Sequence, residues 1–141
     1  MKDVIIDINS RFNLEEEEED QLQFTTDGFY LLEGDTACIS YFETEVTGME
    51  GTRTSLFVMP DQVVVDREGT VTSRMVFREG LQTSFLYQTP YGETTLGMRT
   101  RRIDQQIGAE GGRVDIEYVV DLGHSMVSRN RFQISVREIP Q

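Results

Sequence analysis

The sequence predicts an all-β protein whose antiparallel strands run up and down in a meander and close into a barrel of about eight to ten strands. Three observations support this. Apolar and polar residues alternate in short runs, of which the clearest spans residues 114–122. Turn residues interrupt these runs roughly every ten residues, as in hairpin-linked strands. No stretch could supply the crossover helices that a parallel sheet requires.

The predicted strands follow one another with short connections between them. Apolar side chains share one face in each of the runs 4–8, 22–24, 29–32, 39–41, 56–58, 63–65, 71–77, 85–87, 96–98, 114–122 and 132–136. The turns between them are predicted at 27–28, 33–35, 60–61, 67–69, 79–80, 90–92 and 123–124. One face of each strand is polar, so a sheet of this length closes to bury the other face. A two-sheet sandwich is the alternative, but the short connections favour an up-and-down barrel.

Length and composition indicate one globular domain over residues 1–141. Hydrophobic residues make up 38% and charged residues 27% of the chain, as in ordinary globular proteins. Cys38 is the only cysteine, which excludes an internal disulfide and a metal site with two thiolates. No apolar stretch approaches the roughly 20 residues of a membrane helix. We therefore expect a cytoplasmic protein with no metal, no cofactor and no membrane association.

The charge argues against nucleic-acid binding. The formal net charge is −12 and Lys2 is the only lysine, so phosphate backbones would repel the chain. Arg99, Arg101 and Arg102 lie close together in the sequence, but no other basic residues surround them. We expect no nucleic-acid partner.

Three further segments resemble functional motifs only superficially. The acidic run at 15–20 lacks the ligand spacing and the glycine of a calcium loop, so a solvated loop is favoured. The segment 34–37 lacks the glycine of an aspartic-protease motif and is predicted to be a β-turn. His124, the only histidine, neighbours Ser125 in a turn, where the two cannot act as base and nucleophile.

Several polar residues share a face with apolar neighbours and are therefore predicted to point into the barrel. Glu43 continues the phase of Ile39 and Tyr41, and its burial would require an arginine or threonine partner. Thr54, Thr100, Asn130 and Ser73 also occur in apolar phases. An apolar wall with a few convergent polar groups is typical of a ligand site. The alternative is that these groups bond to one another or to buried water in a filled barrel.

The leading functional hypothesis is non-enzymatic binding of a small, partly apolar molecule in the lumen. The expected apolar lining is Leu56, Met75, Phe77, Phe85, Met98 and Tyr118. The expected polar contacts are Glu43, Thr54, Tyr91, Thr100 and Asn130. The segment Thr47, Gly48, Met49, Glu50, Gly51 and Thr52 is either a loop over the barrel mouth or a plain hairpin turn.

Two alternatives remain open. One is a protein-interaction or homodimer module with a filled core, which would use an exposed strand edge or an apolar patch. The other is a carboxylate enzyme in which Glu43 acts with Glu45 or Glu50, and it requires two carboxylates that converge in a pocket.

The chain also resembles the YwiB-like family of uncharacterised bacterial proteins. The resemblance covers nearly the whole chain in order. It rests on YFETEVTGMEGT at 41–52, TPYG at 89–92, Asn130 in the last strand, the opening pattern of Val4, Ile6, Ile8 and Ser10, and the strand of Ser73, Met75 and Phe77. It implies a calycin-like, lipocalin-resembling barrel and a cytoplasmic location, and it implies no established activity.

Overall fold

Ten antiparallel strands form the structure, a computed structural model that describes residues 2–12, 20–123 and 125–139. The strands are β1 (Lys2–Phe12), β2 (Asp20–Glu33), β3 (Thr36–Phe42), β4 (Thr52–Val58), β5 (Val63–Gly69), β6 (Ser73–Phe77), β7 (Gln82–Thr89), β8 (Gly92–Gly108), β9 (Gly111–Leu122) and β10 (Ser125–Glu138). Their order in the sheet is β6-β5-β4-β3-β2-β1-β10-β9-β8-β7. Each strand from β1 to β6 and from β7 to β10 pairs with its sequence neighbour, and β1 pairs with β10, which confirms the predicted meander. Within the described ranges, no helix is long and apolar enough to cross a membrane.

The barrel is nearly closed, and its seam lies between β6 and β7. Reciprocal backbone hydrogen bonds of 2.9 Å join Thr72 and Gln88 at one end of the seam. At the other end, the turn after β6 bonds to β8, where Gly80 N–H donates to Thr100 O over 3.0 Å. Between these points, β6 and β7 share no ladder among the described residues.

The two ends of the barrel differ in packing. We call the end that holds the start of β1 and the turns 34–35, 59–62, 78–81 and 109–110 the closed end. Small and β-branched side chains fill it, namely Val4, Ala37, Val58, Val63 and Val136. The hydroxyl of Tyr30 ties this end together by donating a 2.6 Å hydrogen bond to the carbonyl of Gly108. The opposite end, with turns 43–51, 70–72 and 90–91, is the open end.

Strand β2 runs through the turn that was predicted at 27–28, so that prediction was wrong. Gly28 lies inside the strand, where a Cβ would come within 2.5 Å of Ile6 Cδ1 and of the Ser40 carbonyl. The glycine is therefore required by the close approach of neighbouring strands rather than by a chain reversal.

Strand β8 extends ten residues beyond the predicted run at 96–98. The register against β9 shifts between Thr100 and Arg102, which marks a β-bulge. Because the extra residue reverses the alternation, Met98 and Thr100 face inward before it and Ile103 and Ile107 pack against the core after it. The alternation of apolar residues breaks at this bulge, which is why the predicted strand ended before it.

The outer face of β9 carries a charge network centred on Asp115. Arg131 donates two hydrogen bonds to its carboxylate, from Nε over 3.0 Å and from Nη2 over 2.6 Å. Gln133 adds a third bond over 3.3 Å, and Arg102 lies 3.9 Å away. The Arg131 hydrogen bonds hold the pKa of Asp115 below its ordinary value of 3.8, against the raising effect of burial.

We expect Asp115→Asn to lower the free energy of unfolding by about 2 kcal/mol at neutral pH, because charge-assisted bonds are lost. The folded pKa is depressed, so this contribution is present above pH 3.8 and is lost as pH falls through the folded pKa. Urea unfolding of both proteins at stepwise lower pH should show the difference shrinking. Asp104→Asn is the matched control, because exposed Asp104 faces Asp115 across the strands. A difference that stays constant below pH 3.8 would contradict the assignment.

Candidate ligand cavity

The open half of the barrel encloses a cavity of about 430 Å³. Its apolar lining comprises Ile8, Phe12, Leu22, Phe24, Met49, Met75, Phe85, Leu96, Val120 and Phe132. Its polar lining comprises Ser10, Tyr41, Glu43, Thr47, Arg67, Tyr87, Tyr118, Ser128 and Asn130. The lumen is therefore solid at the closed end and hollow at the open end, and the filled-barrel alternative does not describe the open half.

Five residues of the predicted site line this cavity, namely Glu43, Met75, Phe85, Tyr118 and Asn130. Another five are buried inside the barrel but do not reach the cavity wall, namely Thr54, Leu56, Phe77, Met98 and Thr100. Phe77 supports the wall from behind, since its ring packs edge-on against the ring of Tyr118 with centroids 5.0 Å apart.

Tyr91 was placed wrongly by the sequence analysis. Thr89 pairs with Gly92, so Pro90 and Tyr91 form the two-residue tip of the β7–β8 hairpin. The Tyr91 side chain is 100% exposed at this tip and does not reach the cavity. The turn predicted at 90–92 is thus confirmed, and it directs the Tyr91 side chain away from the cavity.

The segment 43–51 folds over the open end, so it is a mouth loop and more than a minimal hairpin turn. Thr47 and Met49 reach into the cavity, while Glu50 stays exposed. Gly48 and Gly51 have φ of 74° and 83°, a backbone region that favours glycine. The two glycines thus turn the loop back across the mouth, and Thr52, fully buried, begins β4.

Glu43 points inward as predicted and is only 6% exposed. Its partner is the hydroxyl of Thr47, which donates to Oε2 over 3.2 Å. The neighbouring Tyr41 phenol has a raised pKa, first because it is buried and second because the Glu43 charge disfavours the phenolate. Glu45 and Glu50 are exposed and do not line the cavity, so the paired carboxylates of the enzyme hypothesis are not brought together.

Arg67 is the charged residue of the cavity wall that was not predicted. A turn was predicted at 67–69, but β5 continues to Gly69, so Arg67 keeps the inward phase of Val63 and Val65. Its charge acts on two phenols of the cavity and opposes the pKa rise that burial causes at Tyr41 and Tyr118. Among the described residues it has no ion-pair partner, and its one hydrogen bond is a 3.9 Å contact from Nη1 to the Met75 sulfur.

Five buried polar atoms around the cavity lack a hydrogen-bond partner in the described part of the chain. Three belong to residues that are adjacent across β4, β5 and β6, namely Thr54 Oγ1, Arg67 Nε and Ser73 Oγ. The other two, Thr100 Oγ1 and Asn130 Oδ1, flank Tyr118 on the opposite wall. An unsatisfied buried polar group costs about 1–3 kcal/mol, so each of these groups would gain stability from a partner.

The structure describes only part of the segments that resemble metal or catalytic motifs superficially. The acidic segment 15–20 and His124 lie outside the described residues, apart from exposed Asp20. The segment 34–37 contains the β2–β3 turn, as predicted. Across the described ranges, no three His, Cys, Asp or Glu side chains are grouped so that they could hold a metal ion.

Comparison with known proteins decides the family. Residues 6–134 match the family model described as a domain of unknown function, DUF1934. The chain belongs to the DUF1934 family. The uncharacterized β-barrel protein YwiB of Bacillus subtilis (strain 168) is 30% identical over 102 residues, which cover 72% of this chain and 70% of that protein. The resemblance stated from the sequence is confirmed.

A solved structure confirms the architecture of this DUF1934 protein. The crystal structure of the ywiB protein from Bacillus subtilis superposes with a TM-score of 0.85, covering 99% of this chain and 93% of that chain at 24% identity. At this identity the likeness shows the fold alone. All residues that line the cavity fall between Ile8 and Phe132, so the cavity lies inside the region that the DUF1934 match covers.

Proposed function

We propose that this DUF1934 protein binds a small, partly apolar molecule in the barrel cavity and does not transform it. The observation that supports the proposal is the hollow open half, because its volume of about 430 Å³ falls in the range of small-molecule sites, about 300–1,000 Å³. Aromatic and aliphatic side chains form most of the wall, and a few polar groups converge on it.

The unsatisfied polar atoms also support a binding role. A barrel selected only for stability would fill this space and pair these groups, as the closed end does with Tyr30 and Gly108. Protein structures depart from such rules mainly at functional sites. A guest with its own polar group is the simplest partner for the open half.

Two further proposals concern the structural relatives of the barrel and the location of the protein in the cell. We propose that the barrel is related to the calycins and lipocalins, because it is an antiparallel meander with a cavity open at one end. We also propose a cytoplasmic location, which the single cysteine of the chain supports.

Native mass spectrometry on protein purified from its own host tests the proposed function. We expect the folded chain to carry a stoichiometric small molecule that is released on denaturation. Ser10→Phe should abolish this extra mass, because Ser10 lines the cavity and a phenyl ring would fill part of it. Thr95→Phe, on the exposed face of β8, is the matched control and should keep the molecule.

Two results would overturn the proposal. One is a bare monomer from the host that also fails to take up added apolar compounds. The other is a bare multimer, which would move the function to the exposed apolar side chains of Phe29, Phe42 and Ile139 around a shallow outer groove.

A further inference from the structure

Among the described residues, Arg67 supplies the only positive charge of the cavity wall. It is held on β5 between Thr54 and Ser73, the residues directly opposite it on β4 and β6. Both neighbours are at least 96% buried, and each has a hydroxyl oxygen without a partner. The Nε of Arg67 is itself buried and unpaired. Three groups that can donate hydrogen bonds are thus gathered at one place, and none of these three atoms has a hydrogen-bond partner among the described residues.

Among the described residues, Glu43 is the one carboxylate of the cavity wall, and it does not pair with Arg67. Glu43 lies nearer the mouth, where its Oε2 accepts from Thr47, and it forms no ion pair with Arg67. A guanidinium that lacks an anion in a poorly hydrated interior is costly, and a carboxylate matches its planar fork through two parallel hydrogen bonds.

We propose that the guest is a small organic acid with one carboxylate, which binds Arg67, and a hydrocarbon body, which occupies the apolar part of the cavity. This inference rests on the proposed function and specifies its ligand class. A single carboxylate matches the guanidinium of Arg67 one to one, whereas a doubly charged phosphate would add more negative charge to a wall that already holds Glu43. The apolar body faces Phe24, Phe85 and Leu96 across the lumen.

The acidic surface of the protein does not prevent such binding. The surface charges repel an approaching anion through solvent, and at physiological ionic strength this repulsion is largely screened beyond about 8 Å. The buried pair of Arg67 and the bound carboxylate is screened much less. Raising the salt concentration should therefore leave the affinity for the acid nearly unchanged or slightly increased.

Three eight-carbon compounds of matched shape test the inference by isothermal titration calorimetry: octanoate, octan-1-ol and octylamine. We expect octanoate to bind at least about tenfold more tightly than octan-1-ol, and octylamine to bind most weakly. Arg67→Met should abolish the preference for octanoate over octan-1-ol while octan-1-ol still binds. Arg67→Lys should keep part of the preference, since it retains the charge without the planar fork.

Arg74→Met is the matched control, because Arg74 lies on the neighbouring strand with an exposed side chain and should leave all three affinities unchanged. Circular dichroism checks that each variant keeps its β-sheet spectrum. Equal binding of octanoate and octan-1-ol by the unmodified protein would overturn the inference and leave the proposed function intact. No binding of any of the three compounds, together with a bare protein from the host, would overturn both.

Discussion

Gly69→Ala is expected to lower the free energy of unfolding by about 3–5 kcal/mol. Gly69 ends β5 with φ of 133°, a conformation that residues with a Cβ rarely adopt. A Cβ built there would overlap the carbonyl oxygen of Gly51 and lie 3.0 Å from Cα of Thr52. These are backbone atoms of the mouth loop and of β4, so neither can rotate away. The substitution therefore strains Gly69 and pushes the mouth loop out of place.

The test compares urea unfolding of Gly69→Ala with that of Gly80→Ala. Gly80 also has a positive φ, 80°, but a Cβ there would meet nothing within 4 Å. We expect Gly80→Ala to cost only about 1 kcal/mol, from backbone conformation alone. In thermal unfolding, Gly69→Ala should melt roughly 10 °C lower. Equal losses in the two variants would show that the close approach at Gly51 does not matter.

The alternation of apolar residues was sufficient to predict most of the barrel. The side-chain period of a strand is two, so the inward positions of 114–122 could be assigned without structural knowledge, and Val114, Ile116 and Tyr118 face inward as expected. The same phase argument placed Glu43 inside, although its carboxylate alone would have suggested the surface.

The errors occurred where three-dimensional packing overrides the local pattern. Gly28 looks like a turn residue, but only the neighbouring β1 and β3 strands explain it, and both are distant in sequence. The bulge at Thr100 shifts the phase of β8 because of its pairing with β9, which the sequence of β8 does not encode visibly. Tyr91 belongs to a motif, yet a two-residue hairpin tip must project outward.

Whether the lumen is open or filled could not be decided from the sequence, because a phase argument gives direction and not depth. Thr54 and Glu43 both point inward, but only Glu43 reaches the open space. Arg67 was not predicted because the turn expected at 67–69 ended the strand before it, whereas β5 continues to Gly69. Whether inward side chains fill a lumen depends on how all strands are staggered, which no single segment determines.

Thr54→Val and Thr52→Val are expected to change stability in opposite directions, although the two threonines lie two residues apart on β4 and are both fully buried. Among the described residues the Thr54 hydroxyl oxygen has no hydrogen-bond partner, so its replacement by a methyl group of similar shape should stabilise the protein by about 1 kcal/mol. The Thr52 hydroxyl accepts the backbone N–H of Val71 over 3.0 Å, so the same change there leaves a buried donor unpaired and should cost about 1–3 kcal/mol.

Urea unfolding of the ligand-free protein measures both effects. A loss of stability in Thr54→Val as large as that in Thr52→Val would show that the Thr54 hydroxyl is satisfied, for example by a buried water, and would remove one reason to assign a function to the open half. A gain would identify a position where a more stable residue was available and was not used. Binding sites typically contain residues that lower the free energy of unfolding, because polar groups that contact a ligand are unpaired in the ligand-free protein. The sign of this one substitution therefore reports on the role of the cavity without requiring that its guest be known.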